Sequence, residues 1–144
     1  MQLTFTLVAD TICRTAELGL TITDAADAGE LTVIHDDPVT SSDRCPGCGH
    51  AGRLRDHVVR RLTDLPVVGF PTRLHVRVPR FKCLNQACAQ RIYQAELACA
   101  ERGRTVARRV TRWILTTPGD RQNEYLRHRQ GPGPCLLYTS PSPR

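Results

Sequence analysis

Two pairs of cysteines constrain this chain more than any other feature. Cys45 and Cys48 are separated by two residues, and Cys83 and Cys88 are separated by four. Both spacings are typical of a structural zinc site, in which two short turns each supply two thiolates to a tetrahedral ion. The stretch between the pairs is rich in strand-forming residues and can return the second turn to the first as a hairpin. The pattern therefore predicts a zinc-ribbon-like domain with one structural Zn²⁺ held by these four cysteines.

The residues around the cysteines bear on two alternatives, disulfides and a redox dithiol. Gly47 and Gly49 suit a metal-binding turn, because glycine lets the backbone turn tightly and aim its amides at thiolate sulfurs. Disulfides are typical of small secreted domains, but residues 1–20 contain no basic start followed by an apolar run. A redox dithiol needs a βαβ context, whereas a loop over residues 38–43 precedes the first pair and no helix signal follows it. The metal site is the favoured interpretation.

A series of short motifs surrounds the cysteines in a fixed order. The order is Cys45-Pro46-Gly47-Cys48-Gly49, Arg53, His57, Arg60-Arg61-Leu62, Asp64-Leu65-Pro66, Gly69, Pro71, Arg80-Phe81-Lys82-Cys83, Asn85, Cys88, Arg91-Ile92-Tyr93 and Glu96. This series resembles the N-terminal zinc-finger region of bacterial insertion-sequence transposases of the ISL3 group. Pro79 departs from the family, which usually has an arginine there, and Tyr93 replaces the usual phenylalanine.

The resemblance implies a function in DNA transposition. Members of the family bind the terminal inverted repeats of their element as double-stranded DNA, through a zinc finger and a helix-turn-helix, and cut DNA with a later acidic, metal-dependent catalytic domain. The resemblance ends after Thr116, so we expect a fragment truncated before the catalytic domain, without catalytic residues and without activity of its own. It also implies a bacterial cytoplasmic location, no membrane partner, and self-association in the full-length protein. Asp36 and Asp37 lie outside the matched motifs and are weak candidates for metal-dependent chemistry.

The charge distribution supports a nucleic-acid partner. Residues 1–43 contain one arginine against eight acidic residues, a net charge of −7. Residues 44–115 contain fifteen arginines and lysines against four acidic residues, a net charge of +11. A segment this basic attracts phosphates, because each neutralised phosphate releases counterions. A zinc-ribbon adaptor module that binds protein rather than DNA, and a non-functional fragment, remain the alternatives.

Composition and patterning together predict an α+β fold. Aromatic residues make up only 5% of the chain, so the core is short of large side chains and a metal ion is a common remedy. We expect an acidic N-terminal hairpin segment (1–43), a zinc-ribbon-like antiparallel β domain (44–98) and a basic amphipathic helix (99–117). Residues 118–144 are expected to be a disordered tail, because their ending resembles translated sequencing-adapter sequence.

Local patterns place the elements of the N-terminal segment. Leu3, Phe5 and Leu7 alternate like a strand, and a short helix is expected to begin at Asp10 or Thr11 and to end at Gly19. Residues 20–23 and 31–34 then read as the two strands of a hairpin, with a loop of several residues between them. We expect this hairpin to pack beside the ribbon.

The ribbon itself should contain a strand over residues 57–62, a turn over residues 63–66 that continues through residues 67–71, and a second strand over residues 72–78. In the second strand, Leu74, Val76 and Val78 alternate with Arg73, His75 and Arg77, so one face is apolar and the other is basic. The basic face either contacts DNA phosphates or is simply solvated. Pro79 should mark a strand end or an edge, because it donates no ladder hydrogen bond.

A basic amphipathic helix is predicted over residues 105–115, with Thr105 as its N-cap. Its apolar face consists of Val106, Val110, Trp113 and Ile114. The other side carries Arg104, Arg108, Arg109 and Arg112, which are candidates for DNA contact together with Arg73 and Arg77. A solvated face over a core stripe is the alternative. No apolar run in the sequence is long enough to cross a bilayer.

Overall fold

The computed structural model describes residues 2–119 of the chain. Two α-helices, one 3₁₀ turn and five strands are present in this part. In chain order they are α1 (Gln2–Cys13), the 3₁₀ turn (Thr15–Leu18), β1 (Leu20–Asp27), β2 (Thr32–Pro38), β3 (Arg53–Val67), β4 (Phe70–Lys82), β5 (Ile92–Gln94) and α2 (Arg108–Thr116). The predicted tail lies outside the described residues from position 120 onward. None of the described helices is long and apolar enough to span a membrane.

All five strands belong to one sheet with the order β1-β2-β4-β3, and β5 pairs with β4. The predicted α+β class, with an N-terminal hairpin and a C-terminal helix, is confirmed. The β1–β2 and β3–β4 pairs are antiparallel hairpins, but β2 pairs with β4 in parallel over residues 32–36 and 72–76. The N-terminal hairpin therefore extends the ribbon's own sheet across the expected boundary at residue 43, rather than packing beside the ribbon.

The β3–β4 hairpin is longer than expected and turns at a different place. Its turn consists of Val68 and Gly69, whose φ angles are 52° and 82°. Two successive positive φ angles are typical of a type I′ turn, whose twist matches that of the flanking strands. The predicted turn is wrong over residues 63–66, which belong to β3, whereas Val68 and Gly69 lie in its predicted continuation over residues 67–71. Pro66 instead lies within β3, where the register shifts between Asp64 and Val67, and such an irregularity tolerates a missing N–H group.

Pro79 lies inside β4 rather than at its end. Its carbonyl accepts a hydrogen bond from the Ala95 amide, 3.0 Å away, on the edge of β4 that faces β2 and β5. The N–H and C=O groups of a strand residue point to the same side, so the missing N–H faces this edge. Along this edge, β2 pairs with β4 as far as Val76, and β5 pairs with β4 from Arg80 onward. The proline thus occupies the gap between two partner strands and removes no ladder bond.

The N-terminal segment is helical where the alternation of three apolar residues suggested a strand. That alternation is too short to decide between a strand and a helix. Gly19 ends the 3₁₀ turn with a φ of 66°, which confirms the predicted stop. Asp10 does not cap a helix start. Its carboxylate accepts hydrogen bonds from the Thr15 hydroxyl (2.5 Å), the Thr21 hydroxyl (3.1 Å) and the Ile22 amide (2.9 Å), and so ties the end of α1 to β1.

Helix α2 packs on the sheet through its predicted apolar stripe. Val110 is fully buried, and Leu65 of β3 packs against it together with Val106, Trp113 and Ile114. The helix starts later than predicted, with Ala107 rather than Thr105 as its N-cap. The chain before it pairs with β3: the Thr63 amide donates to the Thr105 carbonyl, and the Ala107 amide donates to the Thr63 carbonyl. These bonds keep the residues before Ala107 extended.

A buried ion pair lies between the helices and the sheet. Arg109 of α2 forms an ion pair with Asp64 of β3, and its guanidinium also donates to the carbonyls of Cys13 and Arg14. The Asp64 side chain is fully buried, and that of Arg109 is only 15% exposed. A buried pair of this kind is costly to break, because removing one partner leaves an uncompensated charge. Arg109 therefore joins α2, β3 and the end of α1.

Asp36 is a second buried carboxyl group near this pair. It is 1% exposed, and neither of its oxygens has a hydrogen-bond partner among residues 2–119. Its pKa is raised to about 7, first by burial and then by the neighbouring carboxylates Asp64 and Asp10. The nearby Arg109 lowers this pKa by less than either carboxylate raises it. Because an isolated buried carboxylate is unfavourable, this group holds its proton at mildly acidic pH.

We predict that Asp36 makes the protein less stable at pH 8 than at pH 6. The folded state retains a proton that the unfolded chain loses near pH 4, so the free energy of unfolding falls as the pH rises from about 4 through about 7. The full effect is on the order of 4 kcal/mol as an upper bound. Asp36→Asn should remove this pH dependence. Thermal unfolding of the native protein and of Asp36→Asn across this pH range measures the difference.

Asp37→Asn is the matched control on the same strand and should keep most of the pH dependence of the native sequence, because Asp37 raises the pKa of Asp36 less than Asp64 or Asp10 does. Comparing proteins at each pH also cancels the effect of acid on zinc binding. Identical pH profiles for the native protein and Asp36→Asn would contradict the prediction.

Candidate metal centre

The first cysteine turn is a small hairpin between β2 and β3. The Cys45 amide donates to the His50 carbonyl (2.9 Å), and the Gly49 amide donates to the Cys45 carbonyl (2.8 Å). Gly49 has a φ of 73°, a conformation that glycine adopts without strain. These bonds fold residues 45–50 back on themselves, so that both thiols of the turn lie on one side.

The second cysteine turn follows β4 directly. Asn85 organises it: its side-chain oxygen accepts from the Ala87 amide (3.0 Å), and its carbonyl accepts from the Cys88 amide (3.1 Å). The chain then returns to β4, where the Cys83 amide donates to the Arg91 carbonyl (2.9 Å) just before β5. The four intervening residues therefore form one compact turn that presents Cys83 and Cys88 together.

The two turns bring all four sulfurs together. The Sγ atoms of Cys45, Cys48, Cys83 and Cys88 all lie within 4.8 Å of one another, and this is the one such group of potential metal ligands among residues 2–119. Cys45 and Cys88 are 3.8 Å apart, and Cys48 and Cys83 are 3.6 Å apart. A tetrahedron with Zn–S bonds of about 2.3 Å has edges of about 3.8 Å, so these separations fit a zinc ion. They are far longer than the ~2.05 Å of a disulfide.

Space for the cluster depends on Gly47. A Cβ atom at this position would lie 3.1 Å from the Cys88 sulfur and 3.2 Å from the Gln90 Cβ atom. Contacts this short force the neighbours apart, so a side chain at position 47 would push the second turn away from the first. The two glycines of the first turn thus have separate roles, Gly47 for close approach and Gly49 for backbone conformation.

The thiols differ in how readily they lose their protons. Hydrogen bonding from the His50 backbone lowers the pKa of Cys48 to about 6, whereas burial raises the pKa of Cys83 to about 12. All four must be thiolates to bind zinc, and a dication in their midst supplies the compensating charge. Four thiolates form a closed structural site with no open position for a substrate. The ion is therefore a cross-link, and His50 does not belong to the four-sulfur group.

An aromatic pair supports the centre from β4 and β5. Phe81 and Tyr93 stack with ring centroids 5.7 Å apart. The Tyr93 hydroxyl donates to the Asp43 carbonyl, and the Gly52 amide donates to the same oxygen from 2.8 Å. Tyrosine in place of the family's phenylalanine thus has a hydrogen-bond partner and ties β5 to the chain on both sides of the first turn. Cys99 is buried but does not belong to the four-sulfur group.

A family comparison agrees with this geometry. Residues 41–88 match the family described as the zinc-finger of transposase IS204/IS1001/IS1096/IS1165. This segment is similar to the zinc fingers of ISL3-type transposases. The resemblance seen in the sequence is thereby confirmed for a third of the chain, and Zn²⁺ is its structural cofactor. No curated protein and no solved structure matches the chain significantly.

The predicted DNA-contacting arginines of β4 lie on an open surface. Arg73 and Arg77 are exposed and alternate with the buried residues Leu74, Val76 and Val78. Arg61 of β3 pairs with His75 between them and is exposed as well. We call the surface formed by Arg61, Arg73, Arg77, His35, His57 and His75 the basic sheet face. Arg61 was missed in the sequence, although its alternation with the buried Leu62 was a signal for it.

The predicted arginines of the helix region lie on the other side of the sheet. Arg109 reaches Asp64 on the buried face of β3, so α2 covers the face opposite the basic sheet face. Arg109 is already paired there, and we remove it from the DNA-contacting set. Arg108 and Arg112 are exposed on α2. Arg104 is exposed and lies 3.8 Å from the Glu101 carboxylate. The six candidates therefore do not form one surface.

We predict that Cys83→Ser abolishes stoichiometric zinc binding and unfolds the sheet. Removing one thiolate opens the tetrahedron, and structural zinc supplies about 10–16 kcal/mol in comparable small sites. Metal content per chain and far-ultraviolet circular dichroism measure the two effects. Cys99→Ala is the control and should keep one zinc per chain. A Cys83→Ser protein that stays folded without metal, at the melting temperature of the native sequence, would refute the prediction.

We also predict that Gly52→Ala destabilises the protein through Tyr93. The added Cβ atom would meet the Tyr93 hydroxyl and would lie 2.9 Å from the ring carbon that carries it and 3.0 Å from the Lys82 carbonyl. Overpacking of this kind costs about 1–3 kcal/mol, which thermal unfolding in excess zinc detects. Gly119→Ala is the control, because among the described residues no atom beyond its chain neighbours lies within 4 Å of its Cβ position. Equal melting temperatures for the two variants would disprove the role of Tyr93.

Proposed function

We propose that this chain is the zinc-binding DNA-recognition portion of a bacterial insertion-sequence transposase. In this proposal, the basic sheet face binds the double-stranded DNA of the element's terminal inverted repeats. The observation that carries it is the row of exposed guanidinium groups at Arg61, Arg73 and Arg77, on the face of the sheet that no other described element covers.

The local electrostatics favour phosphate binding at this face. Across the β3–β4 pair, Arg61 faces His75, Arg73 faces Thr63 and Arg77 faces Val59, so none of the three arginines has a carboxylate as its cross-strand partner. Arginine presents its N–H groups in a planar fork that matches phosphate oxygens. Free guanidinium groups therefore meet the DNA backbone without first breaking an ion pair of their own.

Zinc acts at a distance in this proposal by holding the end of the hairpin that carries the arginines. Cys83 directly follows the last residue of β4, and Cys48 lies a short turn before the first residue of β3. Cross-linking the two turns sets the twist and register of the strands between them. The arginines then keep their spacing when they approach the duplex, which reduces the entropy lost on binding.

We propose no catalytic role for the chain itself. The strand-cleaving acidic residues of the family belong to its catalytic domain. In the weak candidate pair Asp36-Asp37, Asp36 is buried in the core. DNA recognition of this kind takes place in the bacterial cytoplasm, and self-association would be a property of the full-length transposase.

We predict that Arg73→Ala/Arg77→Ala weakens duplex binding and flattens its salt dependence. Each lost phosphate contact reduces the slope of log K against log salt by about 0.9, so the double variant should lose about two units of slope. Fluorescence anisotropy with duplex terminal-repeat DNA at several salt concentrations measures this. Binding that hardly responds to salt in the native protein would instead favour the protein-interaction module.

Arg104→Ala/Arg112→Ala is the matched control, because it removes the same charge from exposed positions on the opposite side of the sheet. It should reduce affinity much less. Equal losses in the two double variants would show that overall charge, rather than this face, determines binding.

A further inference from the structure

A groove of about 710 Å³ lies on the opposite side of the sheet from the basic sheet face. Four arginines from four different parts of the chain line it. They are Arg60 of β3, Arg80 of β4, Arg102 of the following loop and Arg108 at the start of α2. Arg60 points to this side because it alternates with Arg61 along β3. The groove therefore uses none of the three arginines of the basic sheet face.

Two of these arginines are held in place by the protein. The Arg60 guanidinium donates to the carbonyls of Glu101 (2.9 Å) and Arg104 (2.7 Å). The Arg80 guanidinium forms a bidentate pair with Asp56, at 2.6 and 2.5 Å. A guanidinium has five N–H donors, so both retain donors for a ligand. Because they are already ordered, a ligand loses little side-chain entropy when it binds them.

The other two arginines are available for a ligand. The side chains of Arg102 and Arg108 are exposed and form no hydrogen bond or ion pair with residues 2–119. Arg108 is the first residue of α2, where the helix dipole adds partial positive charge. Two ordered cations and two free cations thus face the same groove.

Two carboxylates also line the groove, and they limit its charge. Glu101 lies 3.8 Å from Arg104 and is paired with it. Glu96 has no hydrogen bond or ion pair within the described part of the chain. Asp56 also neutralises Arg80, although it does not line the groove. Arg60, Arg102 and Arg108 against the unpaired Glu96 still leave the groove cationic, and Glu96 is the group that most directly opposes an anion. The groove also has an apolar element, since Ile92 is 40% exposed at its wall.

We propose that this arginine groove binds the phosphate groups of a nucleic-acid strand that is not in a duplex. Arginine is suited to phosphate because its planar fork donates two parallel hydrogen bonds. The volume lies within the range of about 300–1,000 Å³ typical of small-ligand pockets. Duplex recognition instead spreads over about 1,000–2,500 Å² of open surface. The exposed Ile92 and the adjacent Pro46 offer apolar contact to sugars and bases of a flexible strand.

The zinc-loaded protein is tested with a short fluorescent oligothymidylate, which cannot pair with itself, at low salt. We expect Arg102→Ala/Arg108→Ala to weaken binding at least about tenfold, because two charge-assisted hydrogen-bond donors are lost. Glu96→Gln should strengthen binding, because it removes the opposing charge. Arg73→Ala/Arg77→Ala should leave strand binding unchanged, and zinc content and circular dichroism confirm that every variant is folded.

Competition with inorganic triphosphate identifies the source of the phosphates. Strand binding that resists triphosphate supports a nucleic-acid ligand, whereas displacement at similar concentrations supports the same phosphate site with a free polyphosphate ligand. The proposal is overturned if neither probe binds, if Glu96→Gln weakens binding, or if only Arg73→Ala/Arg77→Ala removes it. A failure of duplex binding would leave these results intact, because the two surfaces share no arginine.

Discussion

The coordination of one zinc ion by thiolates from two distant turns is the interaction on which the rest of the structure depends. Cys45 and Cys88 are separated by 43 positions in the chain, and the entire β3–β4 hairpin lies between the two turns. A small core with few aromatic residues gains only a few kcal/mol from burial, whereas structural zinc contributes about 10–16 kcal/mol. The ion therefore determines whether the hairpin forms at all, and Gly47, Gly52 and Tyr93 serve the close packing around it.

A polar interior attaches the helices to this sheet. Asp10 ties α1 to β1, and Arg109 joins α2 to Asp64 and to the end of α1. Burial raises the pKa of Asp36, and Asp64 and Asp10 outweigh Arg109, so Asp36 keeps its proton up to about neutral pH. An arginine that belongs to a basic helix in the sequence thus has a structural role. The helix contributes fewer free cations to the surface than its composition indicates.

Strand alternation divides the remaining positive charge between two surfaces. Arg60 and Arg61 are neighbours in the sequence, yet one lines the arginine groove and the other belongs to the basic sheet face. The sheet between them keeps the surfaces apart, so one small domain offers an open cationic face and a narrow cationic groove. Their shapes suit different forms of nucleic acid, an extended duplex on the face and a flexible strand in the groove.

The sequence by itself determined what depends on short-range spacing: the four zinc ligands, the β1–β2 hairpin and the apolar stripe of α2. Patterns too short or too ambiguous misplaced the rest. Three alternating residues suggested a strand in α1, and the predicted turn began at residue 63, although the chain turns only at Val68 and Gly69. Only the tertiary structure decided the parallel pairing of β2 with β4, the burial of Arg109 and the arginine groove. Each of these joins residues far apart in the chain, and no local pattern reports which distant partner a strand edge or a guanidinium will meet.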